Sequence, residues 1–489
     1  MDNHIIIVGG GVAGLSAGCY ALRNGYETTI VEHNSELGGV CTSWRRGEYT
    51  IDGCIHWLTG GPYMSLYEEL GIVPAVSTRV LDEWATYRDA SDDFQVSFTR
   101  DLDALVTDLL RASKDDAAEL ERLRRAARTF ADVSLPLDAR EVTSFRGNVQ
   151  SLWAMRGALP TLMHYRKPIG VWTQEHLVNP RLRRLFGRMF PDTAPALLVL
   201  MVLGYLEKGY LSRPVGGTAA FRDALSRTYF EQGGEAMLGV TVEEIVVRDG
   251  RAQGVRLGDG SLLEADAVIS TSSAPETVLR LLDSRYEAAT THERLQKWKL
   301  FDPIVLASFG VASPQKDAPV LLIVDRVEPF LVGRRLTESM YVRTCNDDPC
   351  FAPAGHSVVQ AMLATDYDWW ARGRSEYDEA KRDVAATVLE KLDAVFPGLH
   401  DAVRTIDVAT PLTYWNMARS WRGAYEGWMP SADSFFNNIK KKLAGLDGFY
   451  MAGQWVEPGG GVPAAVLSGR QAVQLLCHDD GHSFAAGRS

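Results

Sequence analysis

The chain lacks paired or metal-spaced cysteines. Its six, at positions 19, 41, 54, 345, 350 and 477, form no CxxC motif, so neither a secreted disulfide scaffold nor a cysteine-zinc site is expected. It has no basic tract longer than Lys440-Lys441-Lys442, and with a net charge of −11 nucleic acid is not the expected partner. Long apolar runs are missing too: Ala194 to Leu206 contains Pro195 and falls short of the roughly 20 residues a bilayer span requires. That run reads as a buried helix or as one wall of an apolar tunnel, and peripheral membrane contact stays open. The first strand starts at His4, which leaves no room for a signal segment, so the expected compartment is the cytoplasm. No metal is expected, because the His478 and His482 pair sits at a terminus without further ligands. Repeats and low-complexity tracts are absent, and nothing in the sequence speaks to oligomeric state.

What is present begins at residue 4. Ile5 to Val8 form a buried strand that runs into Gly9-Gly-Gly11-Val-Ala-Gly14, followed by a helix and by Glu27-Thr-Thr-Ile-Val-Glu32. In a dinucleotide fingerprint Gly9 makes the bend, Gly11 lets backbone approach a pyrophosphate, and Gly14 allows tight packing of helix on strand. Glu32 can accept the hydroxyls of an adenosine ribose. The bland alternative is that the glycines serve only a tight turn.

Two more glycine-rich turns lie far away in the chain: Leu37-Gly38-Gly39-Val40-Cys-Thr42, and Gly453-Gln454-Trp455 through Gly461-Val462-Pro463. The second opens a helix whose N-terminus can face the N1 and C2=O edge of a flavin. Three such contacts fit a long FAD better than a nicotinamide. Candidate cofactor contacts are therefore Gly9, Gly11, Val12, Ala13, Gly14, Glu32, His33, Gly38, Gly39, Val40, Thr42, Val242, Gly453, Gln454, Gly461 and Val462.

At 489 residues the chain exceeds one ordinary core, so two intertwined domains are expected. Residues 213–274 repeat the grammar of a nucleotide-binding half, with a Gly216-Gly217 turn, a helix and strands broken at Asp249-Gly250 and Gly258-Asp-Gly260. The expected class is α/β: a discontinuous Rossmann-type FAD-binding domain from residues 1–78, 213–290 and 438–489, and a mixed α+β substrate domain. The latter is expected to have a helical part, 79–212, and a sheet-containing part, 291–437, with strands at Ile304 to Val311, Ser357 to Leu363 and Val403 to Ala409 and a helix from Tyr377 to Phe396.

The fingerprint, the Gly38-Gly39 pair, the Ala265-Asp-Ala-Val-Ile-Ser-Thr271 strand, Ala409-Thr-Pro-Leu-Thr-Tyr414, Arg422-Gly-Ala-Tyr-Glu-Gly-Trp428 and the block from Met451 to Pro463 together resemble the phytoene desaturase-like flavoproteins. That group includes carotenoid desaturases and isomerases and retinol saturase. The resemblance covers nearly the whole chain. It implies a noncovalent FAD, a two-domain fold of the amine oxidase type, and a tunnel leading an apolar substrate to the flavin. Relatives often place an arginine or lysine where this chain has Val40, and an acidic residue where it has Gln454. Arg45 or Arg46 compensates for the first change, or the phosphates rely on backbone alone.

Hydride chemistry on a carbon chain needs a neighbouring acid or base. The resemblance places Asp52-Gly-Cys-Ile-His56-Trp57 near the ring, and His56 is the proton-transfer candidate because imidazole titrates near neutrality; a structural role is the alternative. Tyr414 and Trp455 are further catalytic candidates, and Trp57, Trp421, Tyr425 and Trp428 are candidate substrate walls, set against ordinary core packing. Asp366 and Asp368 read as a turn or helix cap. Nothing in the sequence resembles a second nucleotide fold, so NAD(P)H could serve only as a transient donor.

The expected function is desaturation, saturation or isomerisation of a conjugated or isoprenoid-like substrate. A tailoring flavoenzyme, such as a reductive cyclase of a polyene macrolactam, is the alternative within enzymes, with amine oxidation a third reading. A non-catalytic FAD-binding protein is the alternative outside them.

Overall fold

The computed structural model describes residues 3–133, 136–144, 153, 156–286, 289–431, 433–434, 437, 439–457 and 459–487. The chain opens with β1 (His4–Val8), α1 (Val12–Arg23) and β2 (Glu27–Glu32), then leaves for β3 (Glu83–Asp89), β4 (Gln95–Thr99), α2 (Ala117–Ala131) and α3 (Leu197–Glu207). It returns through α4 (Gly217–Glu231) to β5 (Glu235–Leu238), the antiparallel strands β6 (Val242–Arg248), β7 (Arg251–Leu257) and β8 (Leu262–Glu264), and β9 (Ala267–Ser270). A second excursion supplies β10 (Ile304–Val311), β11 (Leu321–Val332), β12 (Arg335–Cys345), β13 (Ser357–Ala364), α5 (Arg374–Val395), β14 (Val403–Ala409) and α6 (Pro411–Ala418). β15 (Phe449–Met451) and α7 (Gly461–Asp479) end it.

Five of these strands make a parallel sheet in the order β5-β2-β1-β9-β15. Helices α1, α4 and α7 cover one face of β1 and the antiparallel strands β6 and β7 the other, so Ile5, Ile6 and Ile7 are wholly buried. That is why the strand reads as an unbroken apolar run rather than an alternation. α1 lies so close that a Cβ on Gly14 would sit 2.0 Å from the carbonyl oxygen of Gly9. α7 crosses α1 just as closely: a Cβ on Gly469 would come within 2.7 Å of the Ala13 oxygen.

The second sheet has seven strands in the order β14-β10-β13-β12-β11-β3-β4, with α5 packed across it. Its strands β3 and β4 correct the helical reading of the 79–212 stretch. Trp84, Ala85, Thr86 and Tyr87 are all buried, so both faces of β3 are covered and no period-2 pattern marks it. Within the same stretch, α3 is the long apolar run. It is buried on nearly all sides and packs on α2, where a Cβ on Gly204 would meet the Ala127 oxygen at 2.3 Å. Among the described residues no helix is long and apolar enough to cross a membrane.

Candidate functional site

A cavity with about 1160 Å³ of empty volume, its mouth included, opens where the carboxyl ends of the parallel strands meet the second sheet. This is the switch-point position at which open α/β sheets bind ligands. The first two glycine turns meet there: the Gly38 amide donates to the Gly10 carbonyl at 2.9 Å, and Gly11 pairs with Gly38. A Cβ on Gly38 would lie 2.8 Å from the Cys41 oxygen, and Gly38 and Gly39 both have positive φ, so side chains would fill this cradle. Neither Gly11 before α1 nor Gly460 before α7 offers a side chain to the first helical turn, and neither first turn carries an acid. The orphan N–H groups and positive end of α1 are thus left for an anion, while at the start of α7 the Glu426 carboxylate lies against Gly460.

Of the expected cofactor contacts, Gly9, Gly11, Val12, Ala13, Glu32, His33, Gly38, Gly39, Val40, Gly453, Gln454, Gly461 and Val462 line this cavity. Three stand behind its wall. Gly14 packs under the turn, Thr42 accepts a 3.4 Å hydrogen bond from Arg222, and Val242 is buried in the core against Ile6, Val8 and Val31. Glu32 is 4% exposed and already held: Oε2 accepts from the Gly10 amide at 2.7 Å, and Oε1 from the Asn34 amide and from His33 Nδ1, both at 2.9 Å. Of a carboxylate's roughly four acceptor positions, three are taken. His33 presents Nε2 to the Asn416 carbonyl at 2.8 Å. Both its ring nitrogens face acceptors, so the imidazolium is favoured and its pKa is raised, chiefly by Glu32.

The opposite wall comes from the seven-stranded sheet, with Ile304 and Leu306 on β10 and Met362 on β13, together with Tyr414 and Tyr425, whose rings lie 5.5 Å apart. Burial pushes both phenols above their ordinary pKa, so they stay protonated. Trp455 is also on the wall. Trp428 is not, which corrects its expected place there: it stands edge-on to Trp455 at 5.2 Å and donates Nε1 to the Trp455 carbonyl at 3.0 Å, buried where no ligand reaches. Trp421 likewise packs on Trp415 at 6.1 Å, away from the cavity. Trp57 lines a separate small pocket with Trp84 and Arg343, behind His56.

His56 itself reaches the cavity. Burial, reinforced by the Arg343 guanidinium, lowers its pKa to about 3 against the opposing pull of Asp52. It is a neutral imidazole at physiological pH, which corrects its assignment as the group that titrates near neutrality. Asp52 anchors this segment by accepting from the Thr218 amide and hydroxyl at 2.9 and 2.5 Å and from the Cys54 amide at 3.3 Å. Cys54 lines the cavity beside Cys41; the contact between the two thiols and burial raise its pKa well above the ordinary value.

Sequence reasoning missed Thr271, Ser272 and Ser273, which follow β9 into the cavity, and also Arg419 and Glu426. The first three were findable, since they sit at the carboxyl end of a parallel strand. Arg419, not Arg45 or Arg46, is the arginine on the cavity wall; its guanidinium stands 5.4 Å from the centre of the Trp415 ring. Arg46 instead pairs with Asp407 at 2.6 Å, and neither it nor Arg45 lines the cavity. Away from the cavity, Glu119, His164 and His176 bring potential ligand atoms within 4.8 Å of one another. Glu119 Oε1 already accepts from His164, Tyr165 and Trp172, with Arg122 Nε 3.7 Å from Oε2, so the cluster is a hydrogen-bonded network facing a cation.

Residues 12–477 match the family model for flavin-containing amine oxidoreductases. The chain is 27% identical to a neurosporene-forming phytoene desaturase of Rhodobacter capsulatus, over 96% of this chain and 93% of that protein. It is 24% identical to the chloroplastic prolycopene isomerase 1 of an Oncidium hybrid, over 97% and 84% respectively. Among solved structures, an oxidoreductase from Methanosarcina mazei shares the fold, with a TM-score of 0.68 at 16% identity, covering 96% of this chain and all of the other.

Proposed function

Because the chain belongs to the flavin-containing amine oxidoreductase family, and is thereby a flavin-dependent oxidoreductase, we propose that it holds FAD noncovalently in this cavity and acts on an extended, apolar, conjugated or isoprenoid-like chain. The observation that carries the reading is the division of one cavity into two chemistries: uncapped helix ends and bare glycine turns on one side, Ile304, Leu306, Met362 and two tyrosines on the other. The relatives named for phytoene and prolycopene point to the same substrate class.

FAD, when bound, supplies two-electron chemistry, exchanging hydride with a substrate carbon. The protein's own groups do the rest. The N–H groups at the start of α1 hold the diphosphate, and Glu32 offers its remaining acceptor position to a ribose hydroxyl. Tyr414 and Tyr425, their rings tilted 35° to one another, form an aromatic wall that positions a conjugated chain and excludes water. Asp52 holds the Cys54 to His56 segment in place, with His56 as a neutral contact.

Anaerobic mixing tests the reading. Photoreduced protein is expected to regain its yellow absorbance when an electron-accepting polyene is added, and acid precipitation is expected to release intact FAD. A folded but colourless protein that cannot take up FAD would overturn it, as would a flavoprotein indifferent to every such polyene.

A further inference from the structure

Glu426 lies between Tyr425 and Gly427 on the segment that closes the cavity from the α7 side, and its side chain is part of the cavity wall. A Cβ placed on Gly460, the residue before α7, would sit 2.6 Å from Glu426 Oε2. The carboxylate is therefore pressed against the turn that opens the last helix. Among the described residues it has neither a hydrogen-bond nor an ion-pair partner. The ionisable groups that face it are the Tyr425 phenol and the Cys54 thiol, both held in their neutral, protonated forms. The other carboxylate on the wall, Glu32, is tied down by two amides and His33. An unpartnered carboxylate withdrawn from bulk water is costly unless it can gain a proton or meet a positive charge.

We propose that Glu426 is the proton-exchanging group of this cavity: it takes up one proton when the flavin bound there gains two electrons and gives it back on reoxidation. The inference rests on the flavin reading above. Two-electron reduction adds negative charge to the ligand in the same chamber, and two like charges at close range in a low dielectric are relieved when one is neutralised. In a desaturation the balance closes. One C–H bond of the substrate yields hydride to the flavin, the adjacent C–H yields a proton to the Glu426 carboxylate, and the remaining electron pair becomes the C=C bond. Saturation runs the same steps backwards. Of the other ionisable groups on the wall, Glu32 and His33 are already bound to one another, with the Gly10 and Asn34 amides and the Asn416 carbonyl on their remaining polar atoms. His56 is held neutral by burial and Arg343, while Tyr414, Tyr425 and Cys54 already hold their protons. Burial alone raises Glu426 to about 7, which poises it for exchange near neutrality.

The test is a spectroelectrochemical titration of the flavin in the holoenzyme across neutral pH. One proton per two electrons gives a potential that falls by about 30 mV per pH unit, and two protons give about 60, since tenfold in a two-electron equilibrium is 29.6 mV. The wild type is expected to show the steeper slope above about pH 7, and Glu426→Gln the shallower one at every pH. Glu426→Asp should restore the steep slope. Substrate-driven flavin reduction in Glu426→Gln should slow by about 10²-fold or more. Should the variant fail to fold, the wild-type slope decides alone: a shallow slope throughout overturns the proposal. Matching slopes in wild type and Glu426→Gln, both yellow, overturn it while sparing the flavin reading. A colourless protein overturns both.

Discussion

At the scale of single residues, three side chains in one cavity answer burial in different ways. Glu32 is buried and stays useful because backbone amides and His33 stabilise its charge. Glu32→Gln removes that charge and one acceptor while keeping the shape. If the proposed ribose contact is made, FAD affinity should fall roughly tenfold or more, the value of a hydrogen bond to a charged group, as read by equilibrium dialysis. His56 has no such compensation, so its pKa drops from 6.5 to about 3. Between those values the unfolded chain binds a proton that the folded one does not, so stability is lost as pH falls through this window and is unaffected above it. His56→Gln should remove that loss. The stability gap between variant and wild type, measured by urea unfolding, should open below about pH 6.5 by up to about 1.4 kcal/mol per pH unit. Glu426 has the opposite sign. Its pKa is raised from 4.5 to about 7, so the folded state binds the extra proton and stability is lost as pH rises through that interval. Glu426→Gln should therefore gain stability on the wild type from about pH 4.5 to about pH 7 and keep the gain above it.

At the scale of elements, the site depends on how closely α1 and α7 approach. Both helices begin at bare glycines and their first turns line the same cavity, and Gly469 is the point of contact between them. Gly469→Ala should push α7 off α1 and cost about 1–3 kcal/mol, the usual range for overpacking. Calorimetry should show a lower Tm, and flavin retention should fall with it. Elements were legible where pattern and environment agreed. β10 and β14 occupy the expected residues, and α1 begins at the fingerprint glycines. The hairpin of β11 and β12 was missed: exposed Arg335, Leu336 and Glu338 lie on it, and Leu331 and Leu336 are apolar yet exposed at its tip, blurring any alternation. β3 hid for the converse reason, being buried on both faces.

At the scale of the whole molecule, the parallel sheet draws its strands from the beginning, middle and end of the chain. A ligand that touches turns from all three ties together contacts far apart in sequence. FAD should therefore raise the Tm in a concentration-dependent way, worth about 2.7 kcal/mol at a hundredfold excess over Kd. Thermal unfolding at increasing FAD measures this, and a Tm that ignores FAD would count against the proposed cavity.

The sequence alone determined the glycine turns, the buried strands that feed them and the family resemblance, because backbone geometry at a pyrophosphate turn tolerates few residues and leaves a local mark. It could not decide which aromatic rings face the ligand and which face the core: Trp455 and Trp428 look alike in a string of letters and differ only in which side of one wall they occupy. Nor could it set proton affinities. That of His56 follows from burial and from the Arg343 and Asp52 charges, that of Glu426 from burial alone, and only the folded chain creates those surroundings.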